Sequence, residues 1–455
     1  MTALAMAVGV LMVLGWPMVW LATRSVALSL LLAPLAAALG CSAAAMAATA
    51  TRTPLLPWVA LVVVVGTFVS WRWPPPVADL PLRPGHLAVI ALMVLPLLVL
   101  YRLAPGAWDA RSIWWFHAEW YRAGGSRAAA AFANPAFGFS HADYPPLGPS
   151  TIATTWSVFG NGPDAWVAQA VTIVVTYSAL VTLGVTLTWV VRARTSSLRW
   201  IAVIVAGLLA LGAGGLWPSG VADGFVDNLW SAWFVAAAVL LLLHPPARSA
   251  TTLATVLLAG AVLTKNEAFP AAVILCGLAA VRHRERLRET WTVAIAIAVG
   301  VAWHLLARLL GAKSDLLEGG NAGKALHGDR VVWERVGPTV VRLTEALGWL
   351  TAAVILISVL GGFVTLARRR RLGIGSDLWC WSLLAGNLGV LTATYVVSPY
   401  GLEWHLNSSI DRTTVEPGML LLAIAAVNLL LALEGRSVRQ DPQAVARASP
   451  ATGTG

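Results

Sequence analysis

Cysteine is nearly absent from this 455-residue chain: Cys41, Cys276 and Cys380 are odd in number, far apart and each set in an apolar run. That pattern excludes a disulfide framework or a cysteine metal cluster and fits three small buried residues. Charge is also scarce, at 11% of residues, and lysine more so, with three residues against 28 arginines. The first apolar run, 1–22, has no basic segment before it and is followed by Arg24 and a second apolar run. It therefore reads as a retained span and not as a cleaved signal peptide. No internal repeat is evident, so neither a solenoid nor a transporter built from duplicated halves is indicated.

What fills the chain is hydrocarbon. With 58% hydrophobic residues and a mean hydropathy of +0.75, it reads as an all-α polytopic membrane protein. Candidate spans cover about 3–22, 25–48, 54–71, 86–104, 165–191, 200–217, 226–244, 250–264, 268–281, 290–310, 344–366, 377–397 and 415–433. Thirteen crossings put the two termini on opposite sides. The net charge of +10 would suggest a nucleic-acid partner in a soluble domain. Here arginine is spread over short loops, the positive-inside pattern, and no nucleic-acid partner is expected.

One phase of the alternation places Arg24, Arg72, Arg83, Arg192, Arg194, Arg199, Arg248, the run 282–288, Arg368 to Arg371 and the tail 436–455 together on the cytoplasmic side. The N-terminus is then outside, and the tail is a disordered cytoplasmic segment. Inside fall 18 of the 31 basic residues but only six of the 21 acids. Acids do not set topology, so fifteen of them on the outer face ask for another cause, and an active site there supplies one.

The outer polar segments are a first large loop at 104–164, Ser219 to Asn228 with Asp223 and Asp227, the break Thr264-Lys265-Asn266-Glu267, a loop at 312–344 and a loop at 398–416. The apolar stretch from Thr251 to Val281 would be about 45 Å long as one helix, too long for a hydrocarbon core of about 30 Å. Split at Lys265 it becomes two half-spans, with Lys265 and Glu267 slightly below the outer headgroups. The plain alternative is a solvated turn. Ionisable residues flanked by membrane-depth sequence are costly, however, and usually face a cavity or a partner.

In the first loop, Asp109 follows the fourth span and opens a segment whose Trp108, Ile113, Trp114 and Trp115 suit an interfacial helix, with an aromatic belt as the plain explanation for the rings. An acid at a helix start also interacts with the helix dipole, a role compatible with catalysis. His141-Ala142-Asp143, with His117 and His405, has the residue types of a metal site. The spacing closes no tetrad and the outer loops hold no cysteine, so metal is not favoured. Tyr144-Pro145-Pro146 fixes an extended entry into Leu147 to Phe159, too short and polar to span and expected as a juxtamembrane helix. The last loop gathers Glu403, His405, Asp411 and Arg412, either as site residues or as a solvated cap with an Asp411-to-arginine pair.

An Asp just after a span, a later Asp143-Tyr144-Pro145, the acid segment Ala222-Asp223-Gly224, the Thr-Lys-Asn-Glu break and a late Trp404-His405-Leu406 followed by Asp411-Arg412 together resemble the bacterial GT-C glycosyltransferases. The branch is that of the aminoarabinose transferases, protein O-mannosyltransferases and mycobacterial arabinofuranosyltransferases. The resemblance covers about 86–435 and lies in the combination and order of the pieces. The first three spans, within 1–85, have no counterpart in it. Where that family often begins its first loop with two adjacent acids, Asp109 is followed here by Ala110.

The resemblance implies a GT-C-like module in a bacterial plasma membrane, active on its outer face. It would transfer a sugar, with inversion, from a polyprenyl-phosphate donor to a glycan, lipid or protein acceptor of the cell envelope. No cofactor is required, though some relatives use a divalent metal at paired acids. The general base falls on Asp109, or on Asp143 if Asp109 does not reach the acceptor. A sugar hydroxyl needs a carboxylate to take its proton, and a leaving phosphate needs cations. Lys265 is the first candidate for the phosphate, then Arg412 and His405; Asp223, Glu267, Tyr144 and Glu403 are candidates for sugar or acceptor contacts. The 312–344 loop, with Lys313, Asp315, Glu318, Lys324, Asp329 and Arg330, is expected to shape the acceptor side. Two other classes stay open: a transporter or flippase of a lipid-linked saccharide, and a non-catalytic subunit of a membrane assembly.

Overall fold

In hydrocarbon no water is present to bond backbone N–H and C=O groups, so an apolar run must satisfy them internally. In the computed structural model these runs are helices, and no strand occurs among the described residues, which are 2–75, 107–160, 162–191, 221, 224–243, 247–314, 321–367 and 374–434. The principal helices are α1 (Thr2–Thr23), α2 (Val26–Thr51), α3 (Leu55–Arg72), α4 (Phe116–Arg122), α5 (Gly125–Phe132), α6 (Leu147–Phe159), α7 (Ala165–Val191), α8 (Asp227–Leu242), α9 (Arg248–Val262), α10 (Ala268–Arg282), α11 (Ala294–Leu309), α12 (Val336–Ala367), α13 (Ile374–Val397), α14 (Leu402–Thr413) and α15 (Val415–Glu434). A π-helical turn, Ala110–Trp115, leads into α4.

Among the described residues, seven helical stretches are long and apolar enough to cross a membrane, and α8, α9 and α10 are shorter apolar helices. The chain is thus a helical, membrane-embedded protein. The expected spans at 86–104 and 200–217 and the tail 436–455 lie outside the described residues.

The centre of the bundle is α8, every one of whose residues is buried. It packs against α7, α9, α10 and α15, as expected of a helix that is apolar on all sides. The second hub is α2, which touches α1, α3, α5, α6 and α7. The Ser178 hydroxyl on α7 donates to the Leu31 carbonyl on α2 at 2.8 Å, so the N-terminal helices pack directly on the rest of the bundle. Close approach of α5 to the end of α2 requires Gly125, where an added Cβ would lie 1.9 Å from the Ala48 carbonyl oxygen.

The juxtamembrane helix expected at Leu147 to Phe159 is present with those bounds, yet it is largely buried. Its hydroxyls explain how: Thr151, Thr154, Thr155 and Ser157 each donate to the carbonyl four residues back, which removes their need for water. The aromatic belt is corrected more strongly. Ile113, Trp114 and Trp115 are buried and only Trp108 is exposed, because the π-helical turn is covered by α4 and α6.

Two segments expected as outer loops hold more helix than expected. The 312–344 loop gives way at Val336 to the first turns of α12, with Pro338 tolerated in the first turn, where its missing N–H costs nothing. Most of the 398–416 loop is the amphipathic helix α14, which buries Leu406, Ser409 and Ile410. Polar residues at spacing three and four coloured both segments as loops, although helical faces have that same spacing.

Arg335 had no assigned role in the sequence. Its guanidinium donates to the carbonyls of Tyr395 at 3.4 Å, Val396 at 3.1 Å and Ser398 at 2.6 Å, and to that of Tyr400. It therefore satisfies the exposed C-terminal carbonyls of α13 and meets their partial negative charge. Arg335→Met is expected to destabilise the fold by about 1.5–3 kcal/mol, the worth of hydrogen bonds from a charged donor. Arg335→Lys should recover only part of this, since one ammonium cannot span the same carbonyls. Equal unfolding midpoints for wild type and Arg335→Met in detergent would refute it.

Candidate functional site

Segments that the charge alternation assigns to one side of the membrane meet at one end of the bundle. The break between α9 and α10 is their hub. The Lys265 ammonium lies 2.6 Å from Asp227 Oδ1 and 3.1 Å from Glu267 Oε1, and Lys265 is buried, with 6% exposure. Asn266 Nδ2 donates to Asp143 Oδ2 at 2.8 Å. The Leu147 amide donates to the Leu263 carbonyl at 2.9 Å, and Trp303 Nε1 on α11 donates to the Asp143 carbonyl at 2.9 Å. The break thus ties the 107–160 segment to the N-terminal end of α8.

Asp109 and Arg412 form an ion pair next to this hub, with side-chain exposures of 24% and 28%. Arg412 stands in the last turn of α14, and its guanidinium lies over the Phe225 ring, 4.9 Å from the centroid. Phe225 is brought there by Gly224, whose φ is +84° and where an added Cβ would lie 2.8 Å from Ala110 Cβ. The pairing with Asp109 replaces the Asp411-to-arginine interaction considered from sequence; Asp411 itself is exposed. Burial works against the charge on Arg412, but Asp227 and Asp109 together raise its pKa.

The groups therefore run in alternating sign: Asp109, Arg412, Asp227, Lys265, Glu267. Burial pulls the Lys265 pKa down, but the fields of Asp227 and Glu267 outweigh it, raise the pKa above the ordinary value and keep the ammonium protonated. Tyr144 sits among the acids. Its ring stacks on Trp114 at 5.4 Å and on His141 at 4.9 Å. Burial first, then Glu267, Asp143, Asp227 and Asp109, push its phenol well above the ordinary value, so it remains a neutral donor.

His405 lies between Tyr395 and Tyr400, at 4.7 and 5.7 Å from their rings. Its pKa is lowered to about 4 by burial and by the charges of Arg335, Arg412 and His141, so near neutral pH it is an uncharged imidazole. Glu403 lies exposed in the first turn of α14 and does not join the cluster. Asp223 lies outside the described residues. Its neighbour Asp227, seen in the sequence as an outer acid but given no role, is the partner of Lys265. The signal was available: a carboxylate opening an apolar helix occupies the favourable end of its dipole.

Among the described residues, no three of His, Cys, Asp and Glu are grouped to hold a metal ion. The imidazoles are separately engaged. His117 Nε2 lies 3.1 Å from Ser140 Oγ and its ring stacks on Trp120 at 4.2 Å. Burial lowers the His117 pKa from 6.5 to about 3.

An unfolded chain protonates this histidine below 6.5, whereas the folded one does so only near 3. Stability is therefore complete above about 6.5 and falls as the pH drops through the window between the two values. Thermal unfolding of the solubilised protein should show this loss between about pH 6.5 and pH 4, and His117→Gln should reduce it, leaving the share that His405 contributes in the same window. An unchanged pH profile in that variant would remove His117 as the cause.

No family model, curated protein or solved structure matches this chain.

Proposed function

We propose that this protein is a membrane glycosyltransferase that moves a sugar from a polyprenyl-phosphate donor to a hydroxyl of a cell-envelope acceptor on the outer face of a bacterial plasma membrane, with inversion. The observation that carries this reading is the pairing of Asp109 with Arg412 across 303 residues of sequence. A group able to take a proton and a group able to hold a phosphate stand side by side.

In the reaction, the acceptor oxygen forms a bond to the anomeric carbon as its proton passes to Asp109. The bond from that carbon to the phosphate oxygen breaks on the opposite face. The polyprenyl phosphate leaves with the electron pair, and its growing charge falls on Arg412. Asp143, held by Asn266 and by its own carbonyl, orients the acceptor. The stacked Trp114–Tyr144 pair offers a ring face and a phenol to a sugar, and the buried, unpartnered Asn266 Oδ1 and Glu267 Oε2 can accept from its hydroxyls.

Arg412, rather than Lys265, is the phosphate ligand. Drawing Lys265 away would strand the buried Asp227 carboxylate, 6% exposed, at a cost of about 3–5 kcal/mol, whereas opening a partly exposed pair costs about 0–1 kcal/mol. His405, being neutral, contributes a hydrogen bond and no charge. The cluster sits at helix ends on one side of the bundle and not along its length, which favours chemistry over passage of a substrate.

The test is transfer of a radiolabelled sugar from polyprenyl-phosphate donors to an envelope acceptor fraction by the purified protein in proteoliposomes. Wild-type transfer that disappears in Asp109→Asn is expected. Absence of transfer by the wild type from every such donor would overturn the proposal.

A further inference from the structure

We infer that Arg412 is a latch on Asp109 that the donor phosphate opens, so that the donor binds first and the acceptor second. This rests on the transfer reading above. In the structure the Asp109 carboxylate is engaged by Arg412 through Oδ2, the group it would need free to accept a proton from an acceptor hydroxyl. The two roles assigned to the pair therefore compete: while Arg412 holds Oδ2, it lowers the basicity of the carboxylate and its own charge is offset for a phosphate.

The surroundings decide which link of the alternating chain gives way to an anion. The Lys265 side chain is 8% exposed and its partner Asp227 6%, against 28% and 24% for Arg412 and Asp109. An incoming phosphate thus reaches the Arg412 end. There the guanidinium loses little by turning, because it stays over Phe225, in the field of Asp227 and in reach of the Ser408 carbonyl at 3.3 Å.

The neighbourhood on that side is basic. Arg335, Arg412 and His141 all act on His405, and the described partners of Arg335 are backbone carbonyls, which leave its charge formally uncancelled. Around Tyr144, on which the His141 ring stacks, the carboxylates of Glu267, Asp143, Asp227 and Asp109 act together. A phosphate is drawn to the guanidiniums of Arg412 and Arg335 and repelled by these carboxylates. Its arrival moves Arg412 off Asp109 and presents a free carboxylate to the acceptor.

The test is equilibrium binding of a polyprenyl monophosphate to the full-length protein in phosphatidylcholine nanodiscs, with the corresponding polyprenol and inorganic phosphate as parallel probes. In a latch, Asp109 competes with the ligand for Arg412. Asp109→Asn should therefore bind the lipid phosphate about 3- to 10-fold more tightly than wild type, while Arg412→Gln binds it more weakly. In the Arg412→Gln background, Asp109→Asn should change affinity by less than about 2-fold. Tightening with inorganic phosphate as well supports the same latch for any phosphate. Tightening with the lipid alone assigns it to the lipid-linked form.

Removal of any nearby negative charge could tighten binding in a trivial way, and the cycle separates that case. Equal tightening in both backgrounds, or no tightening in the first, overturns the latch. Should Arg412→Gln fail to accumulate, Asp143→Asn serves instead: it deletes one charge of the same cluster, at a carboxylate held by Asn266, and keeps both members of the Asp109–Arg412 pair. Tightening by Asp143→Asn equal to that by Asp109→Asn overturns the proposal. The transfer reading fails independently, by absence of sugar transfer in the wild type from every polyprenyl-phosphate donor, whatever the variants do to binding.

Discussion

Asp109→Asn is expected to lower sugar transfer by about 10²- to 10⁴-fold, the contribution of a positioned general base, with little change in folding. The carboxamide keeps the shape and one acceptor oxygen of the carboxylate. The pair it breaks is partly exposed, and such pairs are worth about 0–1 kcal/mol. Arg412 keeps Phe225 beneath it and Asp227 nearby. A large loss of activity without a loss of stability is the signature of a base and not of a structural ion pair.

Asp143→Asn provides the comparison. Its carboxylate is bound by Asn266 at 2.8 Å, an arrangement suited to orienting a hydroxyl. Its loss should chiefly raise the acceptor KM, with a smaller fall in kcat. Initial rates at varied acceptor concentration distinguish the two variants. If Asp143→Asn abolishes kcat while Asp109→Asn retains it, the two acids exchange roles.

The second large effect is on stability. Lys265→Ala should destabilise the protein by about 3–5 kcal/mol, because it strands the Asp227 and Glu267 carboxylates without their cation. Donor affinity measured on the fraction that remains folded should be nearly unaffected. Pairing Lys265→Met with Asp227→Asn should restore much of the loss, since a buried pair is costly chiefly when one partner is removed alone. Thermal unfolding in detergent, read beside donor binding, decides the matter. A Lys265→Ala protein as stable as wild type but with weakened donor binding would return Lys265 to the phosphate.

The two lysine roles have different physical requirements, which is why the sequence placed Lys265 ahead of Arg412. A lone cation flanked by membrane-depth apolar residues looks like a ligand waiting for an anion. Here protein carboxylates already supply that anion twice over. The same logic applies to His405: a histidine in an outer segment suggests a cation, but between two tyrosine rings and facing Arg335 and Arg412 it is neutral.

The all-helical, membrane-embedded class, the break at Lys265 and the bounds of the helix at Leu147 were determined by the sequence itself. These are consequences of hydrophobicity, helix length and charge distribution along a local stretch of chain, and no distant contact is needed to evaluate them. The partners within the site were decided only by the tertiary structure. Asp227 meets Lys265 across 38 residues, Asn266 meets Asp143 across 123, and Arg412 meets Asp109 across 303. Whether a cation is free for a phosphate or already spent on a carboxylate depends on a few ångströms in the placement of helix ends, because ion pairing falls steeply with distance and exposure. No spacing along the chain encodes that placement.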